Sequence, residues 1–291
     1  MEHDELAARF EGHRGRLRDL AYRMLGSPAE AEDAVQETWL RLARADADGV
    51  ANLGGWLTTV TSRVCLDLLR SRGARREELT ADGVPERADT AAEADPEGEA
   101  LLVDSVGRAL LVVLDRLAPA ERVAFVLHDM FAVPFDEIAP VVDRSTVTTK
   151  KLASRARRKV RGGGAAPQAE LARHRRLVEA FLAAARAGDI DGVLAVLAPD
   201  VVRRADRAAI PGDRPTEVRG AGTVAREIAA FGRAAGFAEP ALVDGAVGLV
   251  VAPYGRLRLA IAVTVAGDRI AAYELVADPD RLARLDITLL P

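Results

Sequence analysis

Residues 77–104 constrain this chain more than any other stretch, because they cannot form part of a packed core. They contain ten acidic residues against one base, no aromatic residue, and much Ala, Gly and Pro. Such a composition buries too little apolar surface to offset the entropy lost on folding. We therefore predict a flexible acidic linker here. Residues 162–169, which begin Gly-Gly-Gly-Ala-Ala-Pro, predict a second linker.

The two linkers leave three segments to fold: 1–76, 105–161 and 170–291. With 49% hydrophobic residues in 291, these segments can bury real cores. No run of 18 apolar residues is present and the first residues are acidic and polar, so we expect a cytoplasmic protein that enters no membrane. Because Cys65 is the only cysteine and the four histidines are scattered, we expect no disulfide, no metal site and no cofactor.

The first segment has helical periodicity. An apolar stripe from Leu17 to Leu25 ends at Gly26-Ser27-Pro28, which predicts a break and a second helix. On that helix the spacing buries an apolar face and exposes three polar residues at i, i+3 and i+4. The predicted buried residues are Ala31, Ala34, Val35 and Leu42, and the exposed ones are Asp33, Gln36 and Glu37. By spacing alone, a solvated acidic face is the simpler interpretation.

A third helix should begin near Trp56, after a polar, Gly-rich loop, and end among the five arginines of residues 63–76. Trp56 fits a core anchor better than a platform for a DNA base. The predicted buried stripe is Trp56, Leu57, Val60, Val64 and Leu68. The opposite side offers hydroxyl and guanidinium groups, which suit phosphates and base edges. These are Thr58, Thr59, Thr61, Ser62, Arg63 and Arg70.

The second segment predicts a helix over 106–129 that restarts at Pro119, a short helix over 135–142, and a helix from Ser145 to about Arg161. Residues 143–161 carry eight bases and one acid. A short helix, a tight turn and a basic amphipathic helix together predict a DNA-binding helix-turn-helix. The predicted buried stripe of its last helix is Thr149, Leu152, Ala153, Ala156 and Val160. If ~4–6 cations touch phosphate, log affinity falls with log salt at a slope of roughly −4 to −5.

Residues 10–76 and 105–161 resemble regions 2 and 4 of the extracytoplasmic-function class of bacterial sigma factors. Asp33-Ala34-Val35-Gln36-Glu37-Thr38-Trp39-Leu40-Arg41-Leu42 resembles the helix with which region 2 binds polymerase, and 138–158 resembles the region 4 helix-turn-helix. Two departures are Pro140 within that motif and Asp143 where relatives commonly have Gly. The resemblance implies two all-α domains that bind core RNA polymerase, through the beta-prime coiled coil and the beta flap, and promoter DNA. It implies no enzymatic activity.

The resemblance also implies roles for particular residues. Those implied to bind core polymerase are Asp33, Gln36, Glu37 and Arg41. Those implied to read and melt the minus-ten element, where a flipped base is captured, are Asn52, Thr59, Ser62, Arg63 and Arg70. Those implied to contact the minus-thirty-five element are Arg144, Ser145, Thr146, Thr148, Lys150, Lys151, Arg155 and Arg158.

The third segment predicts an α+β domain, with helices over 171–187, 190–197 and 223–233 and strands near 200–207, 248–252, 256–265 and 269–276. This order, helices first and an antiparallel sheet afterwards, resembles the SnoaL-like cone of the nuclear-transport-factor-2-like superfamily. A sigma factor with such a tail resembles the SigJ type, in which the extra domain tunes activity in cis. The resemblance implies a regulatory interface at Asp206, Asp278, Pro279, Asp280, Arg281 and Leu282.

Two other functions remain open from the sequence. One is a helix-turn-helix regulator that acts without polymerase. The other is a DNA-binding protein fused to a SnoaL-like enzyme, whose candidate acids and bases would be His174, Asp206 and Asp244. For Asp206 and Asp244 a loop or turn position is the simpler interpretation. The sequence also leaves open whether the third segment binds a small-molecule ligand and whether it inhibits or activates.

Overall fold

The computed structural model describes residues 3–45, 52–81, 107–161, 168–210, 212–230 and 235–290. Most of the predicted acidic linker, residues 82–104, and most of the predicted Gly-rich linker, residues 162–167, lie outside these ranges. The chain divides into two compact units. One contains residues 1–106 and 114–157, and the other contains 107–113 and 158–291. No helix within the described ranges is both long and apolar enough to cross a membrane.

Helices dominate the first unit. The elements from residue 3 to residue 161 are α1 (His3–Leu25), α2 (Pro28–Arg44), α3 (Leu53–Ala81), α4 (Arg108–Asp115), α5 (Pro119–Phe125), a π-helical turn (Val126–Met130), α6 (Phe135–Val142) and α7 (Thr146–Arg161). Helix α3 therefore continues five residues into the predicted acidic linker. Most of α4 and the last turn of α7 belong to the second unit.

The break between α1 and α2 forms as predicted. Gly26 adopts a left-handed conformation, with φ 75°, which glycine tolerates without steric cost. Ser27 then caps α2 by accepting the N–H of Glu30, and Pro28 occupies the first helical position, where its missing N–H costs nothing. The predicted apolar face of α2 is buried against α1 and α3.

Helix α3 is more enclosed than its sequence predicted. Leu57 and Val64 are buried as expected, but Thr61 and Ser62, predicted to lie on a polar side, are buried too. The reason is that α3 packs against four helices, α1, α2, α5 and α6. The Thr61 hydroxyl is satisfied by that of Thr38 on α2, at 3.0 Å, so the polar group is buried at little cost.

The helix-turn-helix forms at the predicted place. Helix α6 contains Pro140 in its last turn, and Asp143 follows in the left-handed region, with φ 55°, the conformation for which a glycine is better suited. Ser145 then caps α7, since its Oγ accepts the N–H of Thr148. The predicted stripe of α7 is buried at Thr149, Ala153, Ala156 and Val160, while Leu152 is half-buried.

The second unit is built on a sheet. Its remaining elements are α8 (Gln168–Ala187), α9 (Ile190–Val196), β1 (Leu197–Ala205), β2 (Glu217–Arg219), α10 (Ala221–Ala230), β3 (Ala238–Val243), β4 (Ala246–Val251), β5 (Leu259–Ala266), β6 (Arg269–Val276), α11 (Pro279–Arg284) and β7 (Ile287–Thr288). The seven strands follow the order β2-β1-β6-β5-β4-β3-β7. The predicted α+β class is confirmed.

The sheet differs from the prediction in one pairing and several elements. Strands β1 and β6 run parallel, so the sheet is mixed and not wholly antiparallel. Strands β2, β3 and β7 and helix α11 were not predicted, because they are short or interrupted by Pro. Asp244 and Gly245 form the two-residue turn between β3 and β4, both with positive φ. Asp244 is thus a turn residue, as its simpler interpretation predicted.

Candidate polymerase and DNA interfaces

The exposed face of α2 carries the polar residues implied to bind polymerase. Asp33 and Gln36 are exposed. Glu37 accepts a hydrogen bond from Arg41 at 2.8 Å, an i,i+4 pair whose side chains are each more than 40% exposed. Leu40, which sequence reasoning left out, is 46% exposed beside them. Its position off the buried stripe is the signal that could have identified it.

The minus-ten candidates are less accessible than the sequence predicted. Asn52 caps α3 by accepting the N–H of Gly55 at 3.0 Å. Thr59 donates to the carbonyl of Gly55, and Ser62, which is buried, donates to that of Thr58. Of the five candidates, Arg63 and Arg70 are the exposed cations. The structure therefore brings the five candidates onto one helix but leaves two hydroxyl groups bonded to its backbone.

Helix α6 covers part of this surface. Arg63 Nη2 lies 3.3 Å from the carbonyl oxygen of Pro140, to which it donates, and α6 and α5 both pack against α3. The carbonyls near the end of α6 carry the negative end of the helix dipole, which favours a guanidinium there. In this arrangement α6, which belongs to the helix-turn-helix, covers part of α3, the helix implied to read and melt the minus-ten element.

A buried arginine holds the same two segments together. Arg122 on α5 is 2% exposed and donates to the carbonyl oxygen of Arg23, near the end of α1, from two nitrogens at 3.3 and 3.4 Å. A third nitrogen donates to Asp115 at 3.3 Å. Burial lowers the pKa of Arg122, and Asp115 opposes that effect. Burial also raises the pKa of the Cys65 thiol to about 12, although the Arg122 charge lowers it in part.

The minus-thirty-five candidates lie around the start and along the outer side of α7. Lys150, Lys151, Arg155 and Arg158 are exposed, as are Arg144 and Ser145 in the turn. Lys150 Nζ lies 6.0 Å from the centre of the Phe135 ring, which stacks on His128 at 3.8 Å. Thr146 and Thr148 are half-buried. These eight residues thus extend from the turn before α7 to the last turn of that helix.

Arg157, a member of the same basic run, is turned inwards. Its Nε donates to Asp129 at 2.6 Å, across to the π-helical turn. That ion pair leaves Arg157 less available to phosphate than its exposed neighbours.

The residues implied to form a regulatory interface meet in the second unit. One oxygen of Asp206, at the end of β1, accepts the N–H groups of Ala277 and Asp278, both at 2.9 Å, and the other accepts that of Ala209. Asp278 in turn caps α11 by accepting the N–H of Arg281 at 3.0 Å. The Asp206 carboxylate is therefore used to hold the start of the Asp278–Leu282 motif in place.

The amide variant Asp206→Asn should lower the free energy of unfolding of the second unit by about 2 kcal/mol. An amide offers one acceptor oxygen, and its NH2 group would face a backbone N–H that needs an acceptor. Urea denaturation followed by circular dichroism measures the effect. Asp268→Asn is the control, since Asp268 lies 88% exposed in the turn after β5. Equal stabilities for the two variants would contradict the role given to Asp206.

The second unit also contains the two ends of the segment 105–161, namely residues 107–113 and 158–161. Glu239 on β3 accepts the N–H of Ala109 in the first turn of α4 at 2.9 Å, and its other oxygen lies 3.7 Å from Arg108. At the far end, Leu289 donates its N–H to the carbonyl of Val160 in α7. The buried apolar residues of α4 include Leu111 and Val112. The sheet domain thus binds the first and last helices of the segment that resembles region 4.

Comparison with known proteins agrees with this architecture. Residues 9–75 match the family model for Sigma-70 region 2, and residues 107–160 match that for Sigma-70, region 4. This chain is 42% identical to SigI, a probable ECF RNA polymerase sigma factor of Mycobacterium tuberculosis, over 206 residues. The match covers 70% of this chain and 71% of SigI.

SigJ, an ECF RNA polymerase sigma factor of the same organism, is 44% identical over 212 residues, which cover 72% of this chain and 67% of SigJ. The crystal structure of SigJ from Mycobacterium tuberculosis aligns with 95% of this chain and 98% of its own, at 33% identity and a TM-score of 0.47. The sequence identities to SigI and SigJ, and the share of each relative that they cover, show that the chain belongs to the extracytoplasmic-function (ECF) family of RNA polymerase sigma factors.

Proposed function

We propose that this sigma factor binds the beta-prime coiled coil of core polymerase through the exposed face of α2. The observation that carries the proposal is the division of α2 into a buried apolar face and an accessible face with Asp33, Gln36, Glu37 and Leu40. Charged groups around an exposed apolar side chain are a common arrangement for a protein interface. The second segment then reaches the beta flap, and the protein acts in the cytoplasm, where the polymerase is.

The two DNA contacts are assigned to separate helices. Helix α7 enters the major groove of the minus-thirty-five element with its N-terminal turn, and Lys150, Lys151, Arg155 and Arg158 bind phosphates and base edges. The start and end of α3 contact the minus-ten element through Asn52 and the two exposed arginines, Arg63 and Arg70. Both assignments are supported by the accessibility of these side chains.

Promoter binding requires α6 to leave α3. In the described arrangement the exposed Arg63 is engaged by the carbonyl of Pro140, and Ser62 is buried, so the middle of α3 is closed to a DNA strand. Separation frees Arg63 and uncovers the middle of α3. The contacts through Arg122 and Arg63 therefore hold the free protein in a state that does not bind promoters, and binding to polymerase shifts the population to the open state.

The sheet domain modulates this transition in cis. It bonds to both ends of the second segment, through Glu239 at α4 and through Leu289 at α7. We expect changes in the sheet domain to reach the helix-turn-helix through α7, whose residues 158–161 belong to the second unit. Two of the three candidates of the enzymatic alternative are engaged by the backbone: Asp206 accepts three backbone N–H groups, and Asp244 accepts the N–H of Asp286 at 2.7 Å.

Electrophoretic mobility shifts with and without core polymerase test the proposal. The probe is a pool of genomic DNA fragments from upstream of genes. The proposal predicts that the protein binds and shifts specific fragments only when core polymerase is present. Specific shifts by the protein alone would instead favour a regulator that acts without polymerase. If no fragment shifts specifically, with or without polymerase, both functions are contradicted.

Replacing both Lys150 and Lys151 with alanine should weaken promoter binding by the polymerase complex. If both side chains contact phosphate, the slope of log affinity against log salt becomes less negative by about 1.8, since each phosphate contact contributes about 0.9. Affinities measured at several salt concentrations between about 50 and 200 mM give the change in slope. Arg175→Ala on α8, an exposed cation remote in sequence from the helix-turn-helix, should leave the slope unchanged. An unchanged slope in the lysine variant would remove these residues from the interface.

A further inference from the structure

Val147, the second residue of α7, is an exposed apolar side chain that the fold does not explain. At 64% exposure it is the most exposed large hydrophobic residue in the described ranges, ahead of Leu40 at 46%. A β-branched residue in a helix is also less favourable than alanine. Val147 therefore neither packs in the core nor favours the helix, and it is available to contact a bound partner.

The position of Val147 on α7 indicates what that partner is. Residues at i+4, i+8 and i+11 from Val147 are Lys151, Arg155 and Arg158, and all are exposed. The opposite side of the helix is the buried stripe that includes Thr149 and Ala153. Val147 thus begins the outermost row of a basic helix, at the end that a helix-turn-helix inserts most deeply into the major groove.

Neighbouring side chains of the first turn are already engaged. The Thr148 and Ser145 hydroxyl oxygens lie 2.9 Å apart, and Ser145 Oγ also accepts the Thr148 N–H. Thr149 donates its hydroxyl to the carbonyl of Ser145. These hydroxyl groups build the cap of α7, whereas the isopropyl group of Val147 has no hydrogen-bonding capacity and is exposed. In the major groove, the apolar feature that a base pair presents is the C5 methyl group of thymine.

We infer that Val147 reads a thymine in the upstream promoter element by packing against its C5 methyl group. The inference rests on the proposed function, because it requires α7 to lie in the major groove. The division of labour is then clear. Lys151, Arg155 and Arg158 supply most of the attraction to DNA, through phosphates and neighbouring base edges, and Val147 adds discrimination at one thymine.

Replacing thymine by deoxyuridine removes only this methyl group, which makes the test specific. A duplex is first selected from a random-sequence library by the full-length protein bound to core polymerase. Each thymine of the enriched upstream element is then replaced singly by deoxyuridine, and binding of the polymerase complex is measured at fixed salt. At one thymine we expect binding to weaken about fourfold, the factor that corresponds to ~0.8 kcal/mol for one buried methylene-sized group. With Val147→Ala the same replacement should change binding less than about 1.5-fold.

The matched control is Ile190→Ala, which truncates another exposed apolar residue, 41% exposed at the start of α9. This variant should keep the fourfold response to deoxyuridine. An enriched element without thymine, or an equal response in the wild type and Val147→Ala, overturns the inference while leaving the proposed function intact. If the polymerase complex enriches no sequence, the proposed function fails and the inference fails with it.

Discussion

Arg122→Ala is expected to lower the free energy of unfolding of the helical unit by about 3 kcal/mol. The substitution removes three hydrogen bonds from a side chain that is 2% exposed and leaves the Arg23 carbonyl without its donor. An unsatisfied buried acceptor costs about 1–3 kcal/mol, and the lost aliphatic packing adds to it. Asp115 becomes solvated, since it is 49% exposed, so no unpaired charge remains buried.

Urea denaturation measures this loss of stability, and the reactivity of the Cys65 thiol shows whether the structure opens near Arg122. Cys65 is buried near Arg122 and is the only cysteine of the chain, so modification by a thiol reagent reports whether α3 and α5 separate. We expect Arg122→Ala to accelerate modification. Arg18→Ala, an exposed arginine on α1, should change neither quantity, because surface substitutions usually stay within about 0.5 kcal/mol. Equal results for the two variants would contradict the role assigned to Arg122.

Reversing the charges of α2, with Asp33→Arg and Glu37→Arg together, is expected to weaken binding to core polymerase by about 100-fold or more. Both residues lie on the accessible face, and neither contributes to the buried one. Placing like charges opposite each other at an interface costs several kcal/mol, which exceeds the small loss from breaking the exposed Glu37–Arg41 pair. The fold should therefore persist while binding fails.

Co-purification with tagged core polymerase, followed by a titration, measures that effect. The control is Glu170→Arg with Glu179→Arg on α8, which makes the same change in net charge in the other unit. This control should bind core polymerase as the wild type does. Unaltered co-purification of the α2 variant would show that the acidic face is only a solvated surface.

Periodicity predicted α2 and α7 well, because each of these helices has one buried side and one exposed side. The faces of α2 follow directly from Ala31, Ala34 and Val35, and Ser27 and Ser145 identify the starts of α2 and α7. A cap and an amphipathic pattern are local properties, so the sequence alone contains them.

The enclosure of α3 could not be predicted in the same way. Its polar residues Thr61 and Ser62 satisfy their hydroxyls through Thr38 and the backbone carbonyl of Thr58, so they are buried without a visible apolar signal. Whether α6 packs on α3 depends on contacts such as Arg63 to Pro140, which are 77 residues apart. Contacts of this kind are tertiary, and neither propensity nor spacing records them.

The site residues divide along the same line. The acidic face of α2 and the basic row of α7 followed from charge and helical spacing. The parallel pairing of β1 with β6, and the use of Asp206 to hold residues 277 and 278, depend on the registration of distant strands. Arg122 was missed because one arginine in an apolar helix gives no signal of its partners. Val147 and Leu40 could have been identified as apolar residues lying outside the buried stripes.

In vitro transcription tests the central claim most directly. Core polymerase, free of other sigma factors, is incubated with genomic DNA fragments with and without the full-length protein, and transcript starts are mapped. The account predicts that the protein directs initiation at defined positions that share an upstream and a downstream element, and that the α2 charge-reversal variant does not. Identical transcript starts with and without the protein would contradict it.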